Sequence, residues 1–327
     1  MKMTKLRVGI LGCADIAIRV LGPAFQAHAL YELVYFAGRD INKTNAVANK
    51  FACKALPSYQ ALTERDDVDL IYIPLPNSLH KEWVIKALLS GKHVLCEKSL
   101  GCSYNEVKEM VEASRSTGKL LVENFQFRFH TQHQVIKKML EEGKLGEIRC
   151  FRSSFGFPPF LSEMNIRYVS SLGGGALLDA GAYTIKATNF IMGENFEVEA
   201  ANLNISNKLN VDIYGGIYMQ NNLGQFAELS FGFDNYYQCN YEIWCSKGKL
   251  TAVRAFTAHP DLSPIILIEK QGYKEEKILS PDNHFRNMLT HISEIIRSKN
   301  FEPENQQNLV QAYNIEQAKI LSVKYNY

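Results

Sequence analysis

Four short stretches of this 327-residue chain carry residues whose types and spacing could do chemistry. The first is Gly9-Ile-Leu-Gly12-Cys13-Ala14-Asp15-Ile16-Ala17. Gly12, Ala14 and Ala17 fill the three small-residue positions of a G-x-G-x-x-G/A turn, with alanine at the middle one, so the turn can bring backbone N–H groups against a dinucleotide pyrophosphate. The second is Ala37-Gly38-Arg39-Asp40, with Lys43 close behind. An acidic residue ending this strand would take a ribose 2′-hydroxyl and signal NAD. Here the first side chain past the strand is an arginine after a small glycine, which leaves room for a 2′-phosphate and supplies a forked cation to hold it. The alternative is a solvated Arg39 with Asp40 capping the next helix. The third stretch is Glu97-Lys98-Ser99, which alone reads as a surface ion pair. The fourth is Gly173-Gly174-Gly175-Ala-Leu-Leu-Asp179-Ala-Gly181-Ala-Tyr183, preceded by Arg167. Three glycines free the backbone for a close approach, and Asp179 and Tyr183 stand four apart on a helical segment, hence on one face. On spacing alone they read as a buried aspartate capping a helix and a core tyrosine, ahead of a catalytic pair.

The elements that position these residues follow from the hydrophobic pattern. Apolar runs at Leu6–Leu11, 32–37, 69–73, 93–96 and 120–122 read as strands. Helical patterns alternate with them: one from about Asp15, bent at Gly22-Pro23, then 44–51, 80–89, and one opened by the capping box Ser103-x-x-Glu106 and closed by Gly118. Strand and helix in alternation with short connections predict a parallel, doubly wound sheet, whose ligands lie at the carboxyl ends of the strands. The candidate cofactor contacts are therefore Gly12, Cys13, Ala14, Asp15 and Ile16 after the first strand, and Gly38, Arg39 and Lys43 after the second. Leu75 and His80 follow in the Pro74-Leu-Pro-Asn-Ser-Leu-His80 stretch after the third, and Glu97 and Lys98 after the fourth. Beyond residue 125 the pattern changes. A helix at 129–142 precedes strand-like runs at 148–155, 198–205, 212–219, 225–233, 241–245 and 265–269, and helical stretches close the chain at 284–297 and 309–323. Strands clustered without helices between them predict a large, mostly antiparallel sheet. The fold class is α/β: a dinucleotide-binding domain over 1–125 and a substrate-binding and oligomerisation domain over 126–327.

Composition excludes several classes. Lys+Arg 36 against Asp+Glu 34 leaves a formal charge of +2, which argues for neither nucleic acid nor a membrane surface. Hydrophobic residues at 46% and charged ones at 21% are ordinary globular values. No run of 18 apolar residues and no signal-peptide pattern is present, and seven scattered cysteines without a C-x-x-C pair read as reduced thiols, so a cytoplasmic protein is expected.

Taken in order, GILGCADIA, PLPNSLH, CEKS, VENFQFRF and GGGALLDAGAY resemble the Gfo/Idh/MocA oxidoreductases, the family of glucose–fructose oxidoreductase and inositol dehydrogenase. The resemblance covers roughly residues 5 to 190 and, more loosely, the rest. It implies a dinucleotide-dependent oxidoreductase, with NADP(H) the form that Arg39 favours, in which Lys98, matching the lysine of a Glu-Lys-Pro motif, lies beside nicotinamide and substrate. Asp179 and Tyr183 match the aspartate and His/Tyr pair that completes the site, and Arg167 reaches the nicotinamide or an anionic substrate. The family's proline, commonly preceded by a cis peptide bond, is Ser99 here. The tyrosine form, Arg39 and the run Phe155-Gly-Phe-Pro-Pro-Phe160 are similar to nucleotide-sugar 3-ketoreductases acting on dTDP-linked 3-keto-6-deoxyhexoses. Dihydrodiol or free-sugar dehydrogenases, and a non-catalytic NADP(H)-binding sensor, are the competing readings. No metal is required, and the open sheet face implies a homodimer or homotetramer.

Overall fold

The computed structural model describes residues 4–162, 165–193 and 195–326. The chain divides into two compact units. The first holds the chain through Asn124 together with Phe285–Leu309; the second holds Phe125–His284 together with the chain from Val310 onward.

The first unit is built on β1 (Leu6–Leu11), β2 (Tyr31–Ala37), β3 (Lys54–Leu56), β4 (Leu70–Ile73), β5 (His93–Cys96) and β6 (Leu121–Glu123). They pair in parallel in the order β3-β2-β1-β4-β5-β6. This is the doubly wound order, with its switch point between β1 and β4. The central strands are buried on both faces: Val8, Ile10, Leu70, Ile71, Val94 and Leu95 are fully enclosed. β3 escapes a sequence reading because it is three residues long and opens on an exposed lysine, so the expected third and fourth strands are β4 and β5. The first helical segment is a π-helical turn, Ala17–Leu21, running into an α-helix, Gly22–Ala27. Pro23 has no N–H to give, so the irregularity expected at Gly22-Pro23 lies just before it. In the helix Tyr104–Thr117, Ser103 Oγ accepts from Glu106 N (3.3 Å) and Gly118 closes the end at φ +60°.

Residues Phe285–Leu309 belong to this first unit, not to the domain expected over 126–327. Polar handles dock them: Tyr31 donates its hydroxyl to the Leu289 carbonyl at 2.7 Å, and Asn308 Nδ2 donates to the Leu121 carbonyl at 3.1 Å. An amphipathic helix announces that it packs, not which sheet it packs on.

The second unit is a nine-stranded sheet: β7 (Ile148–Gly156), β8 (Glu197–Ile205), β9 (Asp212–Gln220), β10 (Phe226–Gly232), β11 (Gln238–Cys245), β12 (Gly248–Ala252), β13 (Ile265–Lys270), β14 (Tyr273–Ile278) and β15 (Ser322–Asn326). Their order is β14-β13-β12-β11-β7-β10-β9-β8-β15, antiparallel except for the parallel pairs β7·β10 and β8·β15. Period-two alternation separates the faces. Phe151, Leu229, Phe231, Tyr241 and Ile243 are buried inward with the helices Thr131–Glu141 and Ala182–Met192, while Tyr218, Trp244 and the charged row Glu228–Arg152–Glu242 face out. β14 reads YKEEKI and lies on an exposed edge, so no hydrophobic pattern betrays it. The closing helix spans Glu302–Ile320 rather than 309–323, and Ser322–Asn326 forms the other edge strand. Among the described residues, no helix is long and apolar enough to cross a membrane, and no cluster of His, Cys, Asp or Glu is arranged to hold a metal.

Candidate active site

In the first unit the unusual residues stand at the strand ends. Gly12 follows β1 with φ +97°, a conformation that favours glycine, and its N–H donates to the Ala37 carbonyl at 2.7 Å. A Cβ there would meet Leu75 Cδ2 at 3.0 Å. Helix begins at Asp15, so the turn of Cys13, Ala14, Asp15 and Ile16 offers the unpaired N–H groups of a helix start, as a pyrophosphate cradle requires. The Asp15 side chain turns to solvent and pairs with Arg19 at 3.5 Å, and burial pushes the Cys13 thiol up.

After β2, a Cβ on Gly38 would meet Thr44 Oγ1 at 2.2 Å. Asp40 is spent as a helix cap: its Oδ1 accepts from Asn42 N (2.9 Å) and Lys43 N (3.1 Å). The carboxylate that would select a 2′-hydroxyl is thus occupied. Arg39 and Lys43 are exposed, and among the described residues no carboxylate pairs with either. Two free cations beside a glycine fit a 2′-phosphate.

The Lys98 segment is held from three sides. Glu97, half-buried, accepts from Tyr72 on β4 and from Asn124 just past β6, both at 2.6 Å. Burial pushes its carboxyl up, while these two hydrogen bonds and neighbouring Lys98 hold it back. Glu123 accepts from Leu100 N at 2.8 Å. His80 is fully enclosed, with Nδ1 2.9 Å from the Ser99 carbonyl and Nε2 2.8 Å from the Leu75 carbonyl. Its ring therefore has no surface left for a cofactor; its part is to tie the loop after β4 to the loop after β5, and burial lowers its pKa despite the carbonyls around it. The Lys98–Ser99 peptide bond is cis, with serine where the family has proline. Glu97 is accordingly more than the surface ion pair its sequence suggested.

In the second unit, Asp179 lies on a π-helical turn, Leu177–Gly181, and Tyr183 on the α-helix Ala182–Met192 that continues it. π turns of this kind are frequent at functional sites. Arg167 Nε donates to Asp179 Oδ2 at 2.6 Å, and its guanidinium lies 5.0 Å over the Phe160 ring. Arg167 thus serves Asp179 first, ahead of the cofactor contact expected of it. Two of the three glycines have separate steric reasons. A Cβ on Gly174 would meet the Arg167 carbonyl at 2.5 Å, and one on Gly175 (φ +115°) would meet Asp212 Oδ1 at 2.2 Å. Asp212 on β9 accepts from Leu177 N at 2.6 Å, capping the helix start; burial pushes its carboxyl up and that hydrogen bond opposes the shift. Tyr183 is only 7% exposed, its ring packed against Phe125 (5.2 Å), Phe155 (5.1 Å) and Phe256 (5.6 Å), with its hydroxyl 3.4 Å from Gln126. Tyr72, Glu123, Asn124, Gln126 and Asp212 are supports that sequence reasoning missed. Asn124 and Gln126 fall within the VENFQFRF stretch; Asp212 gave no signal, because its partner is 35 residues away.

Two family models match: an oxidoreductase family model with an NAD-binding Rossmann fold over residues 6–125, and the GFO/IDH/MocA C-terminal domain over 133–251. The chain belongs to the GFO/IDH/MocA family. Within it, the dTDP-3,4-didehydro-2,6-dideoxy-alpha-D-glucose 3-reductase of Saccharopolyspora spinosa is 38% identical over 293 residues, 90% of this chain and 88% of that protein. The D-xylose 1-dehydrogenase (NADP(+)) 2 of Haloferax volcanii is 30% identical over 85% of each chain. Among solved structures, KijD10, a 3-ketoreductase from Actinomadura kijaniata in complex with NADP and TDP-benzene, aligns with a TM-score of 0.96 at 35% identity, covering 99% of this chain and 100% of that one. The family resemblance read from the motifs and the α/β class both hold for this GFO/IDH/MocA chain.

Proposed function

We propose that this chain is an NADP(H)-dependent reductase that acts at C-3 of a dTDP-linked 3-keto-6-deoxyhexose. The observation that carries the reading is the likeness, over nearly the whole chain, to proteins named for that reaction. Free Arg39 and Lys43 beside Gly38 support NADP(H) over NAD(H). Reduced nicotinamide supplies the hydride. The chain's own residues then have to manage the carbonyl oxygen, which gains negative charge. Lys98 provides a positive field there. Tyr183 provides a proton from a phenol in a dry aromatic surround, where such a donor is not lost to bulk water. Asp179, fixed by Arg167, is the group that holds a substrate hydroxyl.

A free-sugar dehydrogenase is the second reading, favoured by the xylose dehydrogenase relative but at lower identity. NADPH absorbance followed against nucleotide-linked and free ketosugars separates the two: oxidation with the nucleotide-linked sugars is expected, and turnover confined to free sugars overturns the proposal. We also place the protein in the cytoplasm, on the strength of seven free cysteines. It associates into a homodimer or homotetramer through the outer sheet face, where Tyr218 stacks on Phe226 (5.7 Å) and Arg152 lies over Trp244 (5.0 Å).

A further inference from the structure

A nucleotide-linked sugar brings a diphosphate as well as a ketone, and the residues above account only for the ketone. Within the second unit, one cation is placed to take that charge. Inward-facing positions run along odd residues of β11 (Cys239, Tyr241, Ile243, Cys245) and even residues of β12 (Leu250, Ala252), all buried on the face that carries the Tyr183 helix. Just past the strand ends stand Tyr237, one residue before β11, and Arg254, in the turn that follows β12. Both are half-buried, and the Arg254 guanidinium lies over the Tyr237 ring at 4.8 Å. The segment is stitched in place: Ala255 N donates to the Cys239 carbonyl at 2.7 Å, the Tyr237 hydroxyl meets Thr257 Oγ1 at 3.1 Å, and Gln132 Nε2 donates to the Arg254 carbonyl at 3.1 Å. Two residues on, the Phe256 ring packs against Tyr183. Among the described residues no carboxylate forms an ion pair with Arg254; its one side-chain hydrogen bond is a long one, Nε to the Thr257 carbonyl at 3.5 Å. Stacking on a tyrosine fixes the guanidinium plane and leaves its N–H edge free for a bidentate acceptor.

We infer that Arg254, seated on Tyr237, is the subsite for the diphosphate of the substrate. This rests on the reading of the substrate as a nucleotide-linked sugar. It makes Arg254 a specificity residue, separate from the groups that move the proton.

The test is calorimetric titration of thymidine diphosphate into the full-length, NADP-loaded protein. Arg254→Met is expected to weaken thymidine diphosphate roughly 10- to 100-fold, the effect of losing a charge-assisted pair. The same variant raises KM for the nucleotide sugar, with kcat at saturation and NADPH affinity held; unchanged NADPH affinity also shows that it is folded. Arg254→Lys falls between, since it keeps the charge and loses the fork. Tyr237→Leu weakens binding less than Arg254→Met. Wild-type binding of thymidine diphosphate with equal binding by Arg254→Met overturns the subsite alone. Failure of the wild-type protein to bind thymidine diphosphate overturns the nucleotide-sugar reading and the subsite with it.

Discussion

Lys98 and Tyr183 can both serve a ketone, by different means, and the two are separable by pH rather than by rate. Removing a positioned acid or a stabilising cation each costs ~10²–10⁴-fold. If the phenol donates the proton, Tyr183→Phe removes the high-pH limb of the kcat profile while NADPH affinity holds, and Lys98→Ala lowers the rate at every pH. A Tyr183→Phe enzyme with a near wild-type rate and an unchanged limb would transfer the acid role to Lys98. At the cofactor end, Arg39→Ala is expected to cost ~1.5–3 kcal/mol in NADPH binding, the scale of a charge-assisted hydrogen bond, and little for NADH; equal losses would contradict the 2′-phosphate assignment. These residues were legible because their types stand out at strand ends and in the family's motifs. Their supports were not: Tyr72 and Asn124 reach Glu97 across 25 and 27 residues, and neither type is unusual where it occurs. His80 was legible in position but not in role, since only the fold shows both ring nitrogens turned to carbonyls.

At the scale of elements, the glycine-rich turn shows how little of a motif's reason is local. Gly175 is needed because Asp212, on a strand 37 residues further along the chain, occupies the space of a Cβ. The strands missed by pattern are the edges β3, β14 and β15, which are short or polar, and β12, an interior strand only five residues long that opens on Gly248 and Lys249. The helix Thr131–Glu141 carries a different consequence. His133 and, just before it, His130 pack with His284 in the interior of the second unit, with ring centroids 6.4 Å and 5.8 Å apart from His130. Burial holds all three neutral: His133 is lowered to about 3 and His284 to about 4, and His130 is lowered with Asp282 opposing. In the unfolded chain histidine titrates near ~6.5. Below that pH the unfolded chain binds protons that the folded one refuses, so stability is level above about pH 7 and falls as pH drops through ~6.5 toward 4. The slope is ~1.4 kcal/mol per pH unit for each histidine that stays neutral. Urea unfolding at pH 7.5 and 5.5 measures this; equal stability at the two values would show that the cluster is charged, or solvated, in the folded chain.

For the whole molecule, the proposed association through the outer sheet face has a solution test. Tyr214, Tyr218 and Trp244 are 39%, 37% and 48% exposed around a row of alternating charges, the mixed character of an interface rather than of a solvated surface. Sedimentation at micromolar concentration is expected to show a dimer or tetramer, with Trp244→Glu shifting it toward monomer; a wild-type monomer contradicts this use of the face. Substrate choice is read from the ratio of kcat/KM for a dTDP-linked 3-keto-6-deoxyhexose to that for the same sugar without its nucleotide, measured with NADPH. Efficient NADPH oxidation with the nucleotide-linked ketone and a ratio of ~10 or more are expected, since a single charge-assisted contact to the diphosphate carries at least that factor. A ratio near one, or turnover with the free sugar only, would contradict the nucleotide-sugar reading.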